Sequence, residues 1–274
     1  MPDRRNPDSW DFDAFATETA TILAPLLERF FDNYRRVLHL VKVYQEQYGK
    51  GSGRRAVHKA DLLRAGVVFM HAALEDLLRG FARLYLPASD EQALDAIPLA
   101  GQGSKHRPEK FLLGVLAQHR GKSVDQLIDE SVERYLEQKS FSDTTEISSL
   151  LEAMGIAVDD EVARYFPAIE ELTKRRHQIV HESDYAATAG PGRQRAASIS
   201  VRKAMTWLRA CRGFATFVVA SIIRREQARH LGLPHAEMAA LEGRLELRQQ
   251  SAKRQEERLQ AQKPDSKTGV RRRQ

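Results

Sequence analysis

Apolar residues recur three and four positions apart along most of this chain, and no useful stretch alternates between apolar and polar residues. The first spacing marks one face of an α-helix, whereas alternation marks a strand. Residues 15–48 carry the pattern most fully, with Ile22, Leu23, Leu26, Leu27, Phe30, Phe31, Tyr34, Val37, Leu38 and Val41. The chain is therefore predicted to be all-α.

Capping and breaking residues divide this pattern into separate elements. Ser123 and Gln126 have the form of a capping box, and Asp159 and Asp160 place acids at the positive end of a helix. Pro25 marks either a kink or a later start of the first helix. The predicted helices are residues 15–48, 59–86, 109–118, 124–138, 144–155, 159–181 and 200–230, with a long loop at 183–199.

The chain is predicted to form one main domain with a polar tail. A hydrophobic share of 42% is enough to bury a sizeable core. The predicted parts are an N-terminal segment (1–14), a helical domain (15–232), and a solvated helix with a disordered basic tail (233–274). Residues 241–274 hold ten Lys and Arg against five Asp and Glu, so the body is nearly neutral. Charge therefore favours an anionic partner only mildly.

The apolar stretches are too short to predict a membrane protein. The longest uncharged ones have about ten residues, whereas about 20 are needed to span a bilayer. The first residues lack the apolar run of a signal peptide, and Cys211 has no partner cysteine in the chain. We expect a cytoplasmic protein without a membrane segment.

Metal ligands and phosphate loops are poorly represented in the sequence. One cysteine and nine scattered histidines give no zinc-finger pattern, and no Gly-rich phosphate loop precedes a helix. His177 and His181 share a helix face as zinc ligands can, but the acidic residue of the metalloprotease motif is absent between them. No metal and no cofactor are expected.

Arg176 occupies an unusual place in the predicted helix 159–181. It follows the apolar stripe of residues 162–172, where a core or interface residue is expected. A guanidinium in such a place needs a partner or a function. One interpretation is structural, with Arg176 paired to an acid such as Glu75 or Asp76 and His181 capping the helix. The other is that Arg176 and His181 act together in a site.

A regular helix does not aim Arg176 and His181 at one point. Five positions at about 100° each place them about 140° apart around the axis. Convergence on one phosphate then requires the helix to end or distort near His181, or a second copy to face the first across a two-fold axis. The sequence leaves both routes open.

The segment 175–181, Arg-Arg-His-Gln-Ile-Val-His, resembles a known signature. Arg176, four residues and His181 are similar to the Arg, four to six residues, His motif of the HEPN superfamily. Residues 74–78, 140–142, 147–151 and 154–156 resemble the branch called RiboL-PSP-HEPN or MAE-like. The resemblance extends over about residues 59–223.

The resemblance implies an all-α, HEPN-like helical bundle, here with additional helices and a basic C-terminal tail. It implies that Arg176 and His181 form the catalytic pair, contributed by both subunits of a homodimer to one cleft. Family members act on RNA without metal, often as toxins or in phage defence, so an antitoxin is an expected partner. His177, where the family often has Asn, is expected to support the site with Arg175 and Glu75.

The residue types suit cleavage of RNA through its own 2′-hydroxyl. Histidine moves protons near neutral pH, and arginine binds phosphate oxygens with a permanent charge. The predicted function is a metal-independent endoribonuclease. Two alternatives remain: a non-catalytic helical module that binds a protein or nucleotide, and a DNA-binding regulator that would use the basic residues of 201–229. His71 and Cys211 are predicted to be core residues.

Overall fold

The computed structural model describes residues 12–48, 57–100, 113–182, 184 and 197–231. Every regular element in these ranges is helical, which confirms the all-α prediction. The α-helices are α1 (Phe12–Tyr48), α2 (Asp61–Tyr85), α3 (Glu91–Leu94), α4 (Val124–Gln138), α5 (Thr144–Ala153), α6 (Asp160–Ala163), α7 (Phe166–His181) and α8 (Val201–Leu231). Two 3-10 segments, Val57–Ala60 and Leu113–His119, accompany them, and the second contains the described part of the helix predicted at 109–118.

The chain divides into two compact units. Ala16–Ile223 is the larger and contains the hydrophobic core. The other combines Met1–Phe15 with Arg224–Gln274, of which the structure describes only residues 12–15 and 224–231, the outer turns of α1 and α8. The predicted tail 233–274 and most of the loop 183–199 lie outside the described residues. The domain boundaries after residues 14 and 232 therefore stay predictions.

α2 lies centrally in the larger unit and contacts both α7 and α4. Leu77, Leu78 and Phe81 are among its fully buried side chains. Burying one such side chain contributes about 1.5–3 kcal/mol to stability. One edge of the helix nevertheless reaches solvent, since Phe69 is 44% exposed. The helix is thus buried over most of its circumference.

α1 approaches α2 closely where Gly80 removes a side chain. A Cβ atom at Gly80 would lie 2.6 Å from Leu26 Cδ2, so a larger residue would require Leu26 to shift. Nearby, Arg29 Nε lies 2.6 Å from Asp76 Oδ2 and ties the two helices together. Asp76 is therefore engaged by α1. It is not the partner that we predicted for Arg176.

The helix predicted at 159–181 is broken in two, which corrects the sequence analysis. α6 ends at Ala163, and α7 begins at Phe166 with Pro167 in its first turn. Proline lacks the amide proton that a helix interior needs, and its ring clashes with the preceding turn. The break also lets Tyr165 pack on α8, where a Cβ at Gly213 would lie 2.5 Å from Tyr165 Cε1.

The predicted helix starts are confirmed by their capping bonds. Ser123 and Gln126 form the full capping box at the start of α4. Asp143 accepts from the Glu146 amide, and Asp159 accepts from two amides of α6. These bonds satisfy backbone donors that the first helical turn leaves free.

α8 contributes one side of the core. Trp207, Cys211 and Phe214 join the main cluster, and burial raises the pKa of the Cys211 thiol to about 12, as fits the predicted core residue. Val201–Arg229 is long and apolar enough to cross a membrane. However, 50% of the 18-residue window that meets this criterion is buried inside the protein. The core helix of a soluble protein meets the same criteria. The prediction of no membrane segment therefore stays a prediction.

Candidate active site

α7 packs its apolar face on α2 and carries the motif at its C-terminal end. Ile169 and Leu172 are each 1% exposed, and the buried residue on the following turn is Arg175, at 8%. Arg176 is half-buried and does not continue the core stripe. The prediction of a core or interface position for Arg176 is therefore wrong as to the core, and an interface position stays a prediction. Arg175 and Arg176 follow Leu172 by three and four positions, so helical spacing alone allows either to continue the apolar stripe, and the structure buries Arg175.

Arg175 belongs to a buried ionic network with Asp184 and Arg64. Asp184 forms ion pairs with both guanidinium groups, and the side chains of all three residues are less than a tenth exposed. The Ala197 carbonyl accepts from Arg175 Nη2 at 2.8 Å and from Arg64 Nη2 at 3.1 Å. Burial lowers the pKa of Arg175, and the Asp184 charge opposes this shift. The network joins α2 and α7 to Asp184 and Ala197, which flank residues 185–196.

The same network fixes the end of α7. The amides of Glu182 and Asp184 both donate to the Gln178 carbonyl, at 3.1 and 3.0 Å, and Asp184 has a φ of 60°. This left-handed conformation is uncommon for a residue other than glycine and turns the chain away from the helix axis. The last residue of α7 is therefore His181.

Arg176 and His181 meet at this helix end. Arg176 Nη1 lies 3.4 Å from His181 Nε2, at the long limit of a hydrogen bond. Of the two routes to convergence that the sequence left open, the helix end is the one observed. Because one chain brings the pair together, their meeting does not require a two-fold axis. The homodimer stays a prediction from the resemblance.

His177 stands beside this pair. Its ring centroid lies 4.7 Å from that of His181, and its Nε2 atom lies 3.8 Å from Glu182 Oε1. The His177 side chain is 60% exposed. In the part of the chain that the structure describes, no group of three His, Cys, Asp or Glu side chains is placed to hold a metal ion.

A polar cleft of about 340 Å³ opens next to the motif. The segment before α5 contributes Ser142 to it, α2 contributes His71, and the end of α7 supplies most of the rest. The lining residues are His71, Ser142, Thr173, Lys174, Arg176, His177, Gln178 and Glu182. All eight side chains can donate or accept hydrogen bonds, so the cleft suits a polar ligand.

The Arg176 charge is not neutralised by a described carboxylate. Among the described residues no acidic oxygen lies within 4 Å of its guanidinium; Glu75 Oε2 lies instead 3.8 Å from His71 Nδ1. The predicted pairing of Arg176 with Glu75 or Asp76 is therefore not found. A half-buried cation that no described residue neutralises is available for an anionic ligand.

His71 is the site residue that sequence reasoning missed. It was predicted to be a core histidine, and it is indeed only 2% exposed. It also lines the cleft with Arg176, which the sequence did not indicate. The sequence offered only a weak indication of this role, since His71 and Glu75 lie one helical turn apart on the helix against which α7 packs.

Comparison with known proteins yields a family match. A family model described as RiboL-PSP-HEPN matches residues 31–223. The matched range contains the C-terminal half of α1, all of α2 to α7, and the core part of α8. No curated protein and no solved structure matches significantly.

We predict that Asp184→Asn lowers the free energy of unfolding by about 3 kcal/mol or more, because it leaves two buried guanidinium groups without their shared counter-charge. Asp61→Asn is the matched control, since Asp61 pairs with the same Arg64 but its side chain is 64% exposed. It should cost about 1 kcal/mol or less. Urea denaturation of the three proteins measures both effects. Equal losses in the two variants would contradict a structural role for the buried network.

Proposed function

We propose that this chain, which belongs to the RiboL-PSP-HEPN family, is a metal-independent endoribonuclease with Arg176 and His181 as its active pair. HEPN domains are generally RNase-like. The observation that carries the proposal is the contact of 3.4 Å between Arg176 Nη1 and His181 Nε2 beside a polar cleft. A cation for phosphate and an imidazole for proton transfer are thereby held within reach of one ligand.

The proposed reaction uses the nucleophile that RNA itself carries. The 2′-oxygen attacks the adjacent phosphorus, the bond to the 5′-oxygen breaks, and the strand ends as a 2′,3′-cyclic phosphate. A base removes the proton from the 2′-hydroxyl, and an acid supplies one to the departing 5′-oxygen. Exposed His181 is placed for one of these transfers. Arg176 stabilises the added charge on the phosphorus oxygens.

The surroundings of the pair support binding of a phosphate. Lys174 adds a second cation to the cleft wall, while Ser142 and Thr173 offer hydroxyl groups. Glu182 is the acidic residue that lines the cleft, and it lies 3.8 Å from His177. We propose that His177 supports His181 through their ring contact and that Glu75 acts on the site through His71.

We further propose that the cleavage serves as a toxin or as defence against phage, with an antitoxin protein as partner. This proposal rests on the family alone. A small antitoxin or nucleotidyltransferase encoded next to this chain would support it. The rival is a non-catalytic module, which would bind a protein tightly and cut no RNA.

Arg176→Ala and His181→Ala should each abolish RNA cleavage while helicity and Tm stay near the parent values. Neither side chain belongs to the core, and neither has a described ion pair whose loss would destabilise the fold. A gel assay on total RNA, with circular dichroism on the same samples, tests both statements. Arg35→Ala, which removes an exposed cation paired with Asp32 on α1, is the control and should cut normally. Persistent cleavage in either variant would remove that residue from the mechanism.

The cleavage should persist in excess EDTA and leave 2′,3′-cyclic phosphate and 5′-hydroxyl ends. A substrate with deoxyribose at the cut position should resist, since it lacks the nucleophile but keeps nearly the same backbone charge. End-labelling and mass spectrometry identify the termini. Cutting that EDTA stops and that leaves 5′-phosphate ends would instead indicate a metal nuclease.

We infer from the contact within one chain that each cleft uses the Arg176 and His181 of a single chain, so a mixture of the two inactive variants should stay inactive. Coexpression with two affinity tags isolates the mixed species, and light scattering measures whether it is the homodimer that we propose. Recovery of cleavage in the mixed dimer, but not in either variant alone, would show that each cleft draws on both chains. The wild-type dimer carrying both tags is the control.

A further inference from the structure

His71 is buried without the hydrogen bonds that a buried imidazole needs. It is 2% exposed, and neither ring nitrogen has a hydrogen-bond partner among the residues that the structure describes. Such an unpaired group costs about 1–3 kcal/mol of stability, and native proteins rarely retain one without a functional reason. His71 lines the same cleft as Arg176, so a ligand in the cleft can supply the missing partner.

The neighbours of His71 indicate which kind of partner this is. Glu75 Oε2 lies 3.8 Å from Nδ1, too far for a hydrogen bond but close enough to favour the proton on that nitrogen. Burial lowers the pKa of His71; Glu75 opposes this shift, while Arg176 and Arg79 add to it. The imidazole is therefore neutral near neutral pH. Its Nε2 atom is then an acceptor that requires a donor.

We propose that His71 is a specificity-determining residue whose Nε2 atom accepts a hydrogen bond from a ribose 2′-hydroxyl of RNA bound in the cleft. This inference rests on the proposed function, which puts a phosphate on Arg176. RNA carries a 2′-hydroxyl donor on every ribose, including those that flank the ribose of the attacking 2′-oxygen, and DNA carries none. Arg176 and Lys174 carry only donors, so they bind phosphate but cannot accept from a hydroxyl. His71 supplies the neutral acceptor.

The test compares binding of an RNA oligonucleotide with that of the same sequence in DNA. Fluorescence anisotropy at one salt concentration is measured with His181→Ala, which blocks cleavage, and with His181→Ala combined with His71→Leu. We expect His181→Ala to prefer RNA and the leucine variant to lose about tenfold in RNA affinity. DNA affinity should stay unchanged, because backbone charge dominates it. Equal loss for both oligonucleotides, or no loss for RNA, would overturn the proposal.

Two further substitutions and one control decide the proposal even if His71→Leu does not fold. Glutamine places its amide near the position of Nε2 and asparagine near that of Nδ1, so His71→Gln should retain the RNA preference and His71→Asn should lose it. His119→Leu changes another buried histidine, which bonds the Ala100 carbonyl and does not line the cleft, and it should leave the preference intact. The opposite order of the glutamine and asparagine variants would overturn the assignment of Nε2.

The outcome separates this inference from the proposed function. A His71-dependent RNA preference in a protein that cuts no RNA would retain the inference and refute the ribonuclease. Cleavage of RNA by a protein whose preference is independent of His71 would retain the ribonuclease and refute the inference.

Discussion

The architecture of the site depends on one carboxylate, Asp184, between two buried arginines. The Asp184 side chain pairs with Arg64 from α2 and Arg175 from α7, and Ala197 closes the network with its carbonyl. Buried charges are tolerated only when each has its partner, so the network holds these elements in one arrangement. It thereby sets the point at which α7 ends and the position of His181 relative to Arg176.

Two adjacent arginines have opposite environments as a consequence. Arg175 faces inward and its charge is compensated by Asp184, whereas Arg176, about 100° further round the helix, is half-buried without a described acid. On α7, Arg175 alone supplies the charge that pairs with Asp184. Arg176 can therefore keep its charge for a ligand, and the cleft of about 340 Å³ lies beside it.

Unsatisfied polar groups gather around this cleft. Arg176 lacks a described counter-charge, and both nitrogens of His71 lack a described hydrogen-bond partner. A polar group that already had its hydrogen bond within the protein would gain little free energy from a ligand, because the new bond would only replace the old one. The stability lost at His71 and Arg176 is offset by the well-packed core of α1, α2 and α8. Function and stability are thus assigned to neighbouring but different residues.

The sequence by itself determined the helical class and the capped starts of α4, α5 and α6, and its resemblance to HEPN proteins predicted the pair Arg176 and His181. The helical class and the caps depend on local spacing and on backbone donors within one turn, so neighbouring residues determine them. It could also have indicated the break at Pro167, which we overlooked. Only the tertiary structure decided that Arg175 rather than Arg176 is buried, that Asp184 pairs with Arg64, and that His71 lines the cleft. The physical reason is that each of these depends on the rotation of one helix against another and on partners up to 120 positions apart, which no local pattern encodes.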